Sequence, residues 1–301
     1  MRAHIKGGGR SIWIYIVISC NVALYIWFTV AYNHPLRFEG KLSSALGTEY
    51  LESQVRLIVD HFSVAPHAPC ARFILNYKRL AYKTIWLDFH EVEAQLLAIG
   101  APPTAIRSDR SPVYTLPVLV DTTMNPRAPT MLSNTNQIVE YLETTYPARP
   151  VFPDGSRAMQ VLFVHYIQDV FIKPLLPIMV PLSHPQFRSV STEYGGGGGG
   201  GGTPRSSPGS GTLSGPQWES AWRQVRGQFD FLATILDKNS ADSEGTVAQG
   251  RELTYADFAV CSVLIWIKRM AARDGWTQVR TWGGGRWARL YDRCREYMDE
   301  F

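Results

Sequence analysis

Residues 114–147 read YTLPVLVDTTMNPRAPTMLSNTNQIVEYLETTYP. Tyr114 to Val120 and Thr130 to Leu132 are short apolar runs flanking the turn-rich Asp121 to Pro129, the pattern of two strands joined as a hairpin. Pro117 stands near the start of the first strand, where a missing N–H is tolerated. The polar cluster Ser133, Asn134, Thr135 and Asn136 then supplies helix-starting side chains. Ile138, Val139, Tyr141 and Leu142 follow at helical spacing, and the run ends before Pro147. Two strands feeding directly into a capped helix make a β-β-α unit.

Upstream, Val55 to Val59 has the length and content of a strand. Phe73, Ile74 and Tyr77 recur at helical spacing within Cys70 to Arg79, and Tyr82 to Phe89 is a second strand. The order is therefore β-α-β, then β-β-α. Downstream of Pro153 strand signals fade, and helices are expected to start near Ser156, Gln217, Tyr255 and Arg286. Trp218, Trp222, Val225, Phe229, Leu232 and Leu236 share one helical face, which makes them core. Thr254-Tyr255-Ala256-Asp257, ahead of the apolar run Phe258 to Ile267, is a capping box.

Two segments stand apart. Met1 to Arg10 carries Arg2, Lys6 and Arg10, and Ile12 to Tyr32 then runs without a charge. About 20 apolar residues span a hydrocarbon core, so a transmembrane helix is expected over 12–32 within a leader of residues 1–50, with Trp13, Tyr15, Tyr25, Trp27 and Tyr32 towards the interfaces. A buried core helix and an extension outside the functional module are the other readings. The second segment is Gly195 to Gly202 with the Ser, Gly and Pro-rich run to about residue 216, expected to be a flexible loop. Glycine motifs matched inside a homopolymer do not indicate a nucleotide site.

Composition narrows the classes of partner. The chain has 301 residues, 45% hydrophobic and 12% aromatic, which excludes wholesale disorder. A net charge of +4 from 30 basic and 26 acidic residues, without a basic stripe, argues against nucleic acid. Cys20, Cys70, Cys261 and Cys294 form no C-x-x-C pair, so neither a zinc site nor a disulfide framework is signalled, and no metal is expected. With no N-x-S/T sequon, the body of the chain fits a reducing compartment. The expected location is the membrane through the 12–32 helix, or the cytoplasm if the leader is not part of the functional protein.

Taken together, Thr115-Leu116-Pro117-Val118-Leu119, the run Ser133 to Glu143, Tyr146-Pro147 and Leu253-Thr254-Tyr255-Ala256-Asp257-Phe258 resemble the glutathione transferase superfamily. Arg72-Phe73-Ile74-Leu75-Asn76-Tyr77-Lys78, Tyr82-Lys83-Thr84 and Gly285-Arg286-Trp287-Ala288-Arg289-Leu290 look like its fungal FuA-type members and their bacterial β-etherase relatives. The resemblance covers about Val55 to Tyr297. It implies a thioredoxin-like α/β domain over 55–147 and an all-α domain over 156–301, with a hydrophobic electrophile bound between them. It also implies glutathione as co-substrate, a homodimer, and the conjugation chemistry of detoxification or glutathione-dependent ether cleavage.

The resemblance further implies a cis Pro117, whose neighbour Leu116 would offer its backbone N–H and C=O to the cysteinyl part of glutathione. Asn134 and Thr135 fall where the family has an acidic residue followed by Ser, at a helix N-terminus suited to the γ-glutamyl carboxylate. An N-cap role for either residue is the structural alternative. The family's thiol-activating Ser or Cys lands on Ala65, just before Pro66. Alanine donates no hydrogen bond, so Ser63 becomes the catalytic candidate, with His67 as a cationic alternative and Cys70 expected inside the first helix. The rival class is a non-catalytic glutathione- or ligand-binding module, anchored to a membrane by the leader.

Overall fold

The computed structural model describes residues 2–7, 10–18, 24–31, 55–60, 67–183, 215–239, 247–249 and 251–298. After strands β1 (Arg2–Gly7), β2 (Arg10–Ile18) and β3 (Leu24–Ala31), the α/β layer consists of β4 (Val55–Asp60), α1 (His67–Tyr77), β5 (Tyr82–Leu87), α2 (Val92–Ala98), the small hairpin β6 (Ala105–Ile106) and β7 (Pro112–Val113), β8 (Val118–Asp121), β9 (Thr130–Leu132) and α3 (Thr135–Thr145). The four-stranded sheet has the order β5-β4-β8-β9. β4 runs parallel to β5 and antiparallel to β8, and β8 is antiparallel to β9. This is the expected thioredoxin-like arrangement. Sequence spacing missed α2, seven residues that follow β5 after the 3-10 turn Phe89–Glu91, with Gly100 at positive φ just beyond its end.

The helical half contains α4 (Arg157–Tyr166), α5 (Leu176–Ser183), α6 (Pro216–Leu236), α7 (Tyr255–Met270), the short α8 (Thr277–Val279) and α9 (Trp282–Cys294). The π turn Ile167–Phe171 and the 3-10 turn Lys173–Leu175 break the path from α4 to α5. α9 is kinked where Gly283, Gly284 and Gly285 all take positive φ, and regular helix resumes at Arg286. Trp222, Val225, Phe229, Leu232 and Leu236 are buried, as the helical face of the sequence requires. α7 is the central helix, buried from Tyr255 through Ile267.

One apolar cluster runs through both halves, from Leu57, Phe73 and Ile74 to Phe258, Leu264 and Trp287. Across this seam Phe73 stacks on Phe258 at 5.7 Å, and Tyr77 meets Phe258 edge-on at 5.4 Å. A second cluster, including Ile58, Leu96, Val118 and Val120, lies on the α2 face of the sheet.

The membrane helix expected over 12–32 is not found. The backbone instead forms three antiparallel strands, β1 (Arg2–Gly7), β2 (Arg10–Ile18) and β3 (Leu24–Ala31). The sequences IWIYIVI and LYIWFTVA are dominated by β-branched and aromatic residues, which favour a pleated strand over a helix at equal hydropathy. Among the described residues, the helical path Arg157–Leu182 is apolar and long enough to cross a membrane by composition. Its Val164, Ile167, Phe171, Leu175, Ile178 and Met179 belong to the protein core. The glycine run 195–202 lies outside the described residues.

Candidate functional site

Strand directions bring three chain segments to one edge of the sheet. Ile58 pairs with Val118, so the C-terminal end of β4 meets the N-terminal end of β8. Leu119 pairs with Leu132, so the C-terminal end of β9, just ahead of Asn134 and Thr135, lies beside the N-terminal end of β8, just after Leu116 and Pro117. The peptide bond between Leu116 and Pro117 is cis, as expected, and Pro117 is buried. Among the described residues, neither the N–H nor the C=O of Leu116 has a hydrogen-bond partner. Just ahead of β8 the backbone therefore offers a donor and an acceptor without a described partner, on the sheet edge where α3 starts.

Asn134 is the N-cap of α3, in extended conformation. Its Oδ1 accepts from Asn136 N at 2.9 Å and Gln137 N at 3.4 Å, satisfying two of the four N–H groups that a helix start leaves open. The structural alternative for Asn134 is thus the observed one. Thr135 is buried at 7% exposure, and among the described residues its N–H and hydroxyl have no partner. The cap thus leaves these two Thr135 donors open among the described residues.

The electrostatics of this edge favour an anion. α1 follows the end of β4 in the chain and α3 follows the end of β9, and these two strand ends share one edge of the sheet. Neither helix has an acidic residue in its first turn to neutralise its dipole. The carboxylate of Asp121 lies at the opposite end of β8. It accepts from Tyr141 Oη at 2.9 Å, Tyr146 Oη at 2.6 Å and Thr123 N at 2.7 Å. These bonds hold its pKa below the usual carboxylate value against the opposing effect of burial.

Of the thiol-activating candidates, Ser63 lies outside the described residues, as do Ala65 and Pro66. His67 is the first residue of α1. Cys70 is buried inside α1, and burial pushes its thiol up to about 12, so it is packing rather than a nucleophile. Cys261 and Cys294 are also free and buried. Asp88, His90 and Glu91 gather beyond β5, but they are half-buried or exposed and remote in sequence from Leu116.

Polar residues of α3 that spacing alone did not single out join the halves of the molecule. Asn136, Glu140 and Glu143 follow at steps of four and three and share a face. Asn136 Oδ1 accepts from Tyr255 Oη on α7, and Glu140 pairs with Arg157 on α4. Glu143 pairs with Lys78 at 2.8 Å and accepts from Val151 N at 3.2 Å. The sequence carries no local signal for these pairings, whose partners are distant in the chain.

A thioredoxin-like layer with a cis proline just ahead of a strand, on the sheet edge where a helix starts, and backed by an all-α domain, defines the glutathione-transferase class of fold. Residues 61–150 match the family model "Glutathione S-transferase, N-terminal domain", and residues 158–297 match "Glutathione S-transferase, C-terminal domain". The chain belongs to the glutathione S-transferase superfamily. It is similar to a glutathione S-transferase of Ceriporiopsis subvermispora crystallised with glutathione, at 26% identity and a TM-score of 0.67 over 83% of this chain and 99% of that one. Glutathione transferase GSTFuA3 of Phanerochaete chrysosporium is similar at 25% identity and a TM-score of 0.65, over 83% and 98%. The glutathione S-transferase-like protein ustS of Aspergillus flavus is 21% identical over 238 residues, covering 76% of this chain and 82% of that protein.

Proposed function

We propose that the protein binds glutathione at the open sheet edge and joins it to hydrophobic aromatic electrophiles, or uses it to cleave their ethers. One observation carries this proposal: among the described residues, the N–H and C=O of Leu116, just ahead of β8, and the N–H and hydroxyl of Thr135, just beyond the end of the adjacent β9, have no partner. Leu116 would hold the cysteinyl amide as an added strand does, and Thr135 would hold the γ-glutamyl carboxylate through charge-assisted bonds. The sulfur would then lie near the mouth of α1. A cysteine-type thiol has a pKa of about 8.5, and each unit by which the site lowers it gives roughly ten times more thiolate at neutral pH. The dipoles of α1 and α3 act in that direction, and we assign the side-chain hydrogen bond to Ser63.

Likeness to the Ceriporiopsis protein, solved with glutathione, supports the co-substrate, and likeness to GSTFuA3 supports a FuA-type affiliation. Ala65 favours a second reading, a glutathione-binding module without turnover. The two separate in one experiment: calorimetric titration of glutathione, beside steady-state rates with a chlorinated nitroaromatic and a β-aryl ether. Binding with turnover supports the enzyme, binding without turnover supports the module, and no binding refutes both.

The homodimer implied by the resemblance would cover an apolar groove of about 450 Å³ between α4 and α6, rimmed by the exposed Met159, Leu162, Phe231 and Ile235. Sedimentation of the wild type against Phe231→Glu tests this assignment. We propose a glutathione-rich, reducing cytoplasm as its location, in keeping with the free thiols of Cys70, Cys261 and Cys294, buried among the described residues.

A further inference from the structure

We propose that Tyr255, on the first turn of the central helix of the all-α half, is a positioning residue for the γ-glutamyl carboxylate site on the other half of the molecule. The inference rests on the glutathione site proposed above and adds a residue that touches no part of the ligand.

The phenol is held by everything around it. Tyr255 is 1% exposed, its backbone N–H donates to Val151 O at 3.0 Å, and its ring meets Phe152 edge-on at 5.6 Å. The next residue is fixed as well, because Ala256 N donates to Gln160 Oε1 at 2.8 Å. The capping box of Thr254 and Asp257 sets the direction in which α7 starts. Burial raises the Tyr255 pKa well above the ordinary value, so its Oη remains a hydrogen-bond donor.

That donor is directed at Asn136 Oδ1, 119 residues away in sequence. Asn136 is the second residue of α3, and its own N–H donates to the Asn134 cap at 2.9 Å. A continuous path therefore leads from the rigid start of α7 through the Asn136 side chain and backbone to the cap, and so to the turn that presents Thr135. Glu140 and Glu143 secure the lower turns of the same face, to Arg157 and Lys78. Asn136 is the contact at the end of α3 that bears the open donors. Without it, the first turn would keep its cap but lose the contact that fixes its rotation and depth relative to Leu116. Groups that bind charge must be held to within about half an ångström to retain their full effect, and supporting hydrogen bonds supply that precision.

Tyr255→Phe removes only the hydroxyl and keeps the edge-on contact with Phe152. The full-length protein, this variant, Asn136→Ala and the double variant would be titrated calorimetrically with glutathione and with glutathione amidated at its γ-glutamyl carboxylate. Each single variant is expected to bind glutathione about five- to tenfold more weakly, the loss of one hydrogen bond's net effect. The double variant should be no weaker than either single one, and affinity for the amidated ligand should be unchanged. Equal weakening for both ligands would mean a merely structural role and would overturn the inference. Wild-type affinity in Tyr255→Phe would overturn it too, while leaving the glutathione site intact. Should the wild type bind no glutathione, the site falls and the role of Tyr255 falls with it.

Discussion

Lys78 and Glu143 form a buried ion pair whose disruption should be the most damaging polar change in the described part of the molecule. The Lys78 side chain is 0% exposed and that of Glu143 is 6% exposed, with Nζ 2.8 Å from Oε2. The ammonium also donates to Tyr146 O at 2.9 Å, Ala148 O at 3.3 Å and Arg149 O at 3.4 Å, so it organises the segment joining the two halves. Lys78→Met fills the aliphatic volume but leaves Glu143 with one described hydrogen bond, from Val151 N, and strips those carbonyls of their donor. Removing one partner of a buried pair costs about 3–5 kcal/mol, and the surrounding network places this case near about 4 kcal/mol. Replacing both residues in Lys78→Met/Glu143→Met removes the unpaired charge and should cost about 2 kcal/mol, so the double variant should be more stable than the single one. Urea unfolding followed by tryptophan fluorescence measures both, with the slope of the transition checked for constancy. Glu143 lies eight residues from Thr135 along α3, about 12 Å, so glutathione affinity of the folded variants should be unchanged. A loss below about 1 kcal/mol for Lys78→Met, or a double variant weaker than the single one, would refute this account.

Other predictions follow from the same geometry. Thr135→Ala should weaken glutathione binding about tenfold in calorimetry without lowering Tm, because the Asn134 cap is untouched, whereas Asn134→Ala should cost about 1 kcal/mol of stability in urea. Burial pushes the Asp257 carboxyl up from 3.8 to about 6, against hydrogen bonds from Thr254 and Ala248. A raised folded-state pKa makes its contribution complete below about pH 4 and lost as pH rises through about 6. Stability should therefore fall by roughly 3 kcal/mol across that window, and Asp257→Asn should flatten the slope seen in urea titrations at stepped pH. A Cβ on Gly275 would stand 2.5 Å from Trp222 Cη2 and 2.8 Å from Ala271 Cβ. Gly275→Ala should lower stability by about 1–3 kcal/mol in the same assay, and an unchanged midpoint would show that the indole can move aside.

Much of the molecule is legible without coordinates because its signals are local. Helical periodicity placed the buried face of α6, the polar cluster at 133–136 placed the start of α3, and the Thr254–Asp257 box placed the start of α7. Each of these effects acts within a few residues, where spacing and geometry are nearly the same thing. The resemblance singled out Leu116, Pro117 and Thr135, and the sheet sets the strands that they flank side by side. The motif Asn76-Tyr77-Lys78 was legible only as a likeness, and its work turns out to be structural. Asn76 Nδ2 donates to Tyr297 O at 2.9 Å, Tyr77 packs on Phe258 and Tyr297, and Lys78 holds Glu143.

Other properties depend on which distant segments meet. Whether Asn134 caps a helix or faces a ligand depends on which of its neighbours' N–H groups it reaches, and it reaches those of Asn136 and Gln137 rather than that of Thr135. The apolar run 12–32 satisfies the length and hydropathy of a membrane helix equally well as paired strands, and the choice rests on hydrogen bonds between segments that no window along the chain contains. Lys78 with Glu143, and Tyr255 with Asn136, are separated by 65 and 119 residues and are exposed polar residues by any local rule. They become fixtures of the fold because packing removes their water, and a polar group without water must find a partner wherever the chain has brought one.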